Sequence, residues 1–410
     1  MARCFRFPAD VQFRKAVRAF ARLALVSLAA FTIDAPSTAS AQTAELNWPS
    51  KQFVRPRDIA LTYPCGGGNV CDLTAFMDRQ HVCALVVLGA GELILHKTLI
   101  RSDDDACKSA VERDRFGIAS IAKSLTSLIF GFVYADPGFG PPADLDAPAA
   151  DLLATAGVEN YDSRVTLKQL LHMSTGMEWS EDEIDTWLKI QVDQNGDLIS
   201  EYRKLKDAAI ARLDGAEFRE PGKFHYSGFD TQLIGILTEH RLTPDKGFLR
   251  GSLDEALENF LWQKLPMEKN AEWNADFAGR PAAHCCAYTS ARDLATLGDF
   301  VLKQYNNQGA DDSDAAAAWV RASMTDTIDA TWSCDFEGTK RSFRFGYQWW
   351  IPSEDARDGF TAIGTQGQYL HMFPEQDVVI AQLSEKLATD ADTCEAMLVH
   401  RLIADQVNQP

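Results

Sequence analysis

Ile118-Ala119-Ser120-Ile121-Ala122-Lys123-Ser124-Leu125-Thr126-Ser127-Leu128-Ile129-Phe130-Gly131-Phe132-Val133 carries apolar residues at 118, 121, 125, 128, 129 and 132. That three-and-four spacing predicts a helix with one buried face. Asp136-Pro137-Gly138 and the Pro141-Pro142 pair stop it. Ahead of it, an apolar run from Val82 to Leu88, a Gly89-Ala90-Gly91 turn and a second run from Leu93 to Ile100 read as a β-hairpin. Behind it the chain is helical in character. Thr166-Leu167-Lys168-Gln169 is a capping box opening a helix that closes at Ser174-Thr175-Gly176, and a longer polar helix is expected over 181–212. Ser227 to Asp230 reads as another box, followed by Phe229, Leu233, Ile236 and Leu237 at helical spacing, with further helices near 253–262 and 291–305. Strands return at 343–351, 360–364, 367–373 and 378–384, and a last helix is expected over 390–407. Strands at both ends with helices between imply an α/β (α+β) unit, one antiparallel sheet completed by distant parts of the chain and flanked by N- and C-terminal helices. A helical lobe, roughly 135–340, is inserted in it, and no linker divides 42–410.

The 410 residues, 46% hydrophobic and 24% charged, suffice for a sizeable core and exclude a disordered or collagenous chain. Residues 1–41 form a separate signal. Arg3, Arg6, Arg14, Lys15, Arg18 and Arg22 precede an apolar run from Leu23 to Ile33, too short to span a bilayer, and Ala39-Ser40-Ala41 follows. These are the parts of a secretory leader cleaved after Ala41; the competing reading is a buried N-terminal helix. The expected product is periplasmic or secreted, without stable membrane insertion. Its loss would shift the formal net charge from −18 to −22. So acidic a surface repels phosphate backbones and anionic lipid, which excludes nucleic acid as the expected partner.

Eight cysteines remain after Cys4 leaves with the leader, an even number that suits disulfides in an oxidising compartment. Cys65 and Cys71 flank a triple-glycine turn, Cys83 and Cys107 bracket the hairpin, and Cys334 and Cys394 could pair over a long loop; adjacent Cys285 and Cys286 are harder to place. Free buried cysteines are the alternative for each pair. A zinc site is disfavoured, because Cys65 and Cys71 lack a second close-spaced Cys/His pair.

Three short elements carry candidate chemistry. Ser120 and Lys123 share a helix face at a spacing of three, at the end of a helix whose dipole and N–H groups favour an anionic oxygen. Two fixed positions in four recur by chance, but the apolar residues on either side bury this lysine, and a desolvated lysine can lose its proton near neutral pH and act as a base. Pro221-Gly222-Lys223-Phe224-His225-Tyr226-Ser227 sets a phenol rigidly before a capped helix, where it either shares proton transfer or merely anchors the helix start. Gly364-Thr365-Gln366-Gly367-Gln368-Tyr369 places glycines in a strand, a sign of close approach by a ligand or another backbone, or of a simple bulge or turn.

In this order the three elements resemble the serine β-lactamase and penicillin-binding protein superfamily, and within it the class C β-lactamase-related hydrolases of the 6-aminohexanoate-dimer hydrolase and carboxylesterase branch. The supporting residues are Ser120-x-x-Lys123-Ser124, the block from Val165 to Trp179 with its Leu170-Leu171-His172-Met173-Ser174-Thr175-Gly176 core, Pro221-Gly222-x-Phe224-x-Tyr226-Ser227, Ser290-Ala291-Arg292-Asp293-Leu294-Ala295, Gly346-Tyr347-Gln348-Trp349-Trp350 and Gly367-Gln368-Tyr369. The resemblance implies a β-lactamase/transpeptidase-like fold with Ser120 as acylated nucleophile, Lys123 as its proton acceptor and Tyr226 as the group that protonates the leaving atom and activates the deacylating water. It places the oxyanion hole at the backbone N–H groups of Ser120 and Gln368, and substrate contacts at Gly228, Thr365, Gln366 and Gly367. Two positions depart from the β-lactamase pattern: Gly228 stands where Asn is common, and Thr365 where Lys or His is common. The first removes an amide that would hold substrate and the second a cation for a β-lactam carboxylate. The implied activity is therefore hydrolysis of small amides or esters without metal or cofactor. A β-lactamase or D-amino-acid peptidase, and a non-catalytic binding protein on the same fold, are the alternatives; oligomeric state is not legible.

Overall fold

The computed structural model describes residues 59–102, 106–181, 205–276, 278–306, 315–386 and 388–407. The expected leader and most of the span expected as a polar helix lie outside the described residues; near the end of that span the structure describes a helix over Leu205–Leu213. Eight strands form the main sheet: β1 (Val82–Gly89), β2 (Glu92–Thr98), β3 (Ile328–Phe336), β4 (Thr339–Phe345), β5 (Trp350–Pro352), β6 (Phe360–Gly364), β7 (Gln368–Phe373) and β8 (Val378–Ser384). All neighbours are antiparallel, in the order β2-β1-β8-β7-β6-β5-β4-β3. The C-terminal meander thus closes onto the N-terminal hairpin, where Val379 pairs with Leu88 and Ala381 with Val86.

Helices cover both faces. The five that matter here are α1 (Ile121–Ala135), α2 (Gly228–Arg241), α3 (Ala291–Tyr305), α4 (Ala315–Thr325) and α5 (Asp390–Val407). On one face Val86, Leu88, Leu370, Met372, Val379 and Ala381 join the core of the helical lobe. On the other, Leu85, Val87, Tyr369, Phe373 and Ile380 pack with Met397 and Ile403 of α5. Burial on both faces accounts for the unbroken apolar run of β1 and for the apolar Val378–Ala381 stretch of β8. Each Val, Leu, Ile, Phe or Met side chain among them contributes roughly 1.5–3 kcal/mol.

Three expectations are revised. The run over 343–351 is two strands, because the chain turns at Gly346, where a Cβ would fall 1.9 Å from the Ser323 carbonyl oxygen. The sheet resumes at Ile328, ahead of the expected lobe boundary near 340, through an edge strand that the sequence reading did not assign. Helix α1 is also buried on more than one face. Its Ser124, Thr126 and Ser127 hydroxyls are satisfied by donating to the carbonyls of Gln348 (2.6 Å), Ala283 (2.7 Å) and Tyr347 (2.7 Å). All eight described cysteines pair: Cys65–Cys71, Cys83–Cys107, Cys334–Cys394 and the adjacent Cys285–Cys286.

Candidate active site

Ser120 caps α1, directly after Ala119, whose φ of 47° is left-handed. The hydroxyl makes no capping bond. It accepts instead from Lys123 Nζ, one turn along, at 3.1 Å. Lys123 is only 3% exposed, and its Nζ also donates to the His284 carbonyl at 3.0 Å. The Glu181 carboxylate lies 3.6 Å from Nζ, and the Tyr226 ring centroid 4.8 Å. Burial alone depresses the ammonium's pKa, as the sequence reading expected, but Tyr226 and Glu181 outweigh it and the net shift is upward. The groups that face Lys123 therefore favour its ammonium form over a neutral amine.

The Val165–Trp179 block is the frame that aims Tyr226. Met173 O and Ser174 O accept the backbone N–H groups of His225 and Gly222, both at 2.8 Å, and His225 Nε2 meets Trp179 O at 2.7 Å. Tyr226 itself stacks on Trp350, with centroids 5.9 Å apart and planes at 20°. Ser227 then caps α2 by accepting from Asp230 N–H at 3.1 Å. Asp230 does not reach back to close a full box; it is buried and accepts from Thr175, and burial raises its pKa well above the usual carboxylate range.

The third element meets the first across a glycine. Gly364, at the end of β6, pairs with Gln368 at the start of β7, and a Cβ on it would lie 2.7 Å from Ile118 O and 3.1 Å from Ala119 Cβ. The glycine therefore permits close approach of another backbone, one of the readings expected. Thr365, Gln366 and Gly367 form the intervening turn, with Thr365 exposed. Gly228 is buried at the first turn of α2, its N–H donating to Glu181 Oε1.

Glu181 and His284 escaped the sequence reading as participants, and Gln348 was quoted there without a role. Glu181 had been read as the start of a polar helix. His284 presents a carbonyl, which no side-chain pattern reports; Gln232 Oε1 fixes it by accepting from Ala283 N–H (3.1 Å) and bonding His284 Nδ1 (3.0 Å). Burial first, then the Lys123 charge, push the His284 imidazole down to about 3, so it is neutral. Gln348 accepts from Thr231 and donates to Leu171 O, both at 2.8 Å, tying α2 to the Val165–Trp179 block.

Comparison with known proteins gives the family and the fold. A family model described as Beta-lactamase matches residues 73–405. A 6-aminohexanoate-dimer hydrolase from Paenarthrobacter ureafaciens is 28% identical over 290 residues, 66% of each chain, so the match spans just under two thirds of that relative. Among solved structures, a chain from Bacillus anthracis described as a candidate 6-aminohexanoate-dimer hydrolase superposes with a TM-score of 0.63 at 19% identity, over 87% of this chain and 88% of its own. A class C beta lactamase from Rhodobacter sphaeroides does so at 0.54 and 17%, over 82% and 97%. At these identities the structures establish the fold.

Proposed function

Because the chain belongs to the beta-lactamase family of serine hydrolases, we propose that it is an exported enzyme cleaving small amides or esters through an acyl-enzyme on Ser120. The observation that carries this reading is the 3.1 Å hydrogen bond from a buried lysine to the serine that opens α1. Ser120 Oγ attacks the substrate carbonyl carbon, and its proton passes to Lys123 and Tyr226. These act as a coupled pair, reactive when they hold one proton between them. The pair returns that proton to the leaving nitrogen or oxygen as the scissile bond breaks, then draws one from the water that attacks the acyl ester and passes it to Ser120 Oγ as the acid leaves. Backbone N–H groups of Ser120 and Gln368 hold the oxyanion. None of these steps calls on a metal or cofactor.

Thr365 favours a substrate without a recognised carboxylate, Gly228 leaves out a side-chain amide that would grip the substrate, and the 6-aminohexanoate-dimer hydrolase relative supports a linear amide. Export is supported by the basic, apolar and Ala-x-Ala pattern of residues 1–41 and by the disulfides. The test is a panel of p-nitrophenyl esters, aminohexanoate oligomers and nitrocefin, with acyl adducts followed by intact mass. Turnover of esters or linear amides far above nitrocefin is expected. Ser120→Ala should lower turnover at least about a thousandfold and abolish labelling by a fluorophosphonate. Labelling that persists in that variant would overturn the assignment.

A further inference from the structure

The carboxylate of Glu181 meets the site at three points. Oε1 accepts from Trp179 Nε1 at 2.8 Å and from the Gly228 N–H that opens α2, while Oε2 lies 3.6 Å from Lys123 Nζ. Its side chain is 38% exposed, whereas that of Lys123 is only 4% exposed. We propose that Glu181 is a positioning residue for the reaction, whose negative charge holds the Lys123 ammonium against Ser120 and sets the pH at which the Lys123–Tyr226 pair becomes reactive. The proposal deepens the assignment of Ser120 and Lys123 as the reacting pair and rests on it.

Among the described residues, the groups facing Nζ come from every element packed around it. Its own helix supplies the Ser120 hydroxyl, the loop before α2 the Tyr226 ring, and the segment after Trp179 the Glu181 carboxylate. The 282–286 turn adds the His284 carbonyl and an imidazole kept neutral by burial. Glu181 supplies the one carboxylate of this set, and an opposite charge at this distance moves a buried lysine by about 1–3 pH units, less where the partner is partly exposed. The upward direction of the Lys123 shift agrees.

Glu181→Gln keeps an oxygen for Gly228 and Trp179 but deletes the charge; Glu181→Asp keeps the charge on a shorter arm. The readout is the rate of Ser120 labelling by a fluorophosphonate, measured by intact mass from pH 5 to 10. In that step the serine oxygen bonds phosphorus, fluoride leaves and the hydroxyl proton passes through the Lys123–Tyr226 pair to solvent. Removing the anion destabilises the ammonium, so the midpoint reporting the pair should fall by about one pH unit in Glu181→Gln and stay near wild type in Glu181→Asp. A purely structural role predicts the reverse ranking, with a pH-independent loss in Glu181→Asp. Equal midpoints in wild type and Glu181→Gln, or equal shifts in both variants, overturn the proposal. Absence of labelling in the wild type would instead strike the reading of Ser120.

Discussion

A single missing side chain decides how closely the nucleophile can approach the sheet. At Gly364 a methyl group would press on Ile118 O and Ala119 Cβ, immediately before Ser120, and Ala119 already occupies a left-handed conformation that L residues rarely adopt. Gly364→Ala is expected to cost roughly 1–3 kcal/mol of stability through overpacking and to lower kcat/KM more than tenfold, because relief of the clash moves the serine. Thermal unfolding together with steady-state kinetics checks both; unchanged kinetics would show that the serine's position does not depend on this contact. At this scale the sequence was informative where burial could be inferred from neighbours. Lys123 stood out because Ile118, Ile121, Leu125 and Leu128 surround it. Glu181 did not, because the partners that give its charge a role, Lys123 and Gly228, are 58 and 47 residues distant and meet it only in the fold.

The elements most legible in sequence were those with a capped start and one clear period. The helix expected over 291–305 is observed as Ala291–Tyr305, its Ser290 cap accepting from Asp293 N–H, and that over 390–407 as Asp390–Val407. Strand β3 was missed because Asp329, Thr331, Ser333 and Asp335 interrupt it on its exposed side and a register shift falls between Asp329 and Trp332. The turn at 282–286 could not be read at all: its work is done by backbone atoms. There the Cys285 carbonyl accepts from Trp273 Nε1 at 2.8 Å, the Cys286 carbonyl from Asn274 N–H at 3.0 Å, and the His284 carbonyl from Lys123. A disulfide between adjacent residues closes almost no loop, so it adds little chain-entropy stabilisation; what it fixes is the path of the turn that presents His284 O. Replacing both Cys285 and Cys286 by Ser is therefore expected to leave Tm within about 3 °C of wild type, a change of under about 1 kcal/mol. Ser120 labelling should meanwhile slow several-fold. A large Tm loss with unchanged labelling would assign the pair to stability alone.

Across the whole molecule, α5 and the sheet enclose two neutral imidazoles. His371 Nδ1 lies 3.4 Å from His400 Nδ1, with Nε2 of the first on Asp358 O (2.7 Å) and of the second on Gln382 Oε1 (2.9 Å). Burial, reinforced by Arg341 and Arg401, pushes His371 down to about 3; burial and His371 push His400 well below its usual value. The unfolded chain takes up these protons near pH 6.5 while the folded chain refuses them, so stability falls as pH drops from about 6.5 toward 3. The loss is up to about 1.4 kcal/mol per histidine per pH unit. His400→Gln should flatten the fall of Tm between pH 6.5 and 4.5 in scanning calorimetry, and parallel curves would show that the pair contributes nothing. The fold class was legible because apolar runs at both ends of the chain have no partner except each other. That pairing has a consequence for biosynthesis. Strand β1 can bond to β8 only after roughly 280 further residues have been made beyond the hairpin, and at ordinary translation rates this takes on the order of fifteen seconds to a minute. Until β8 arrives the hairpin's edge has no strand to pair with, and whatever shields it in the compartment where the chain folds bears on how much of it reaches the finished sheet.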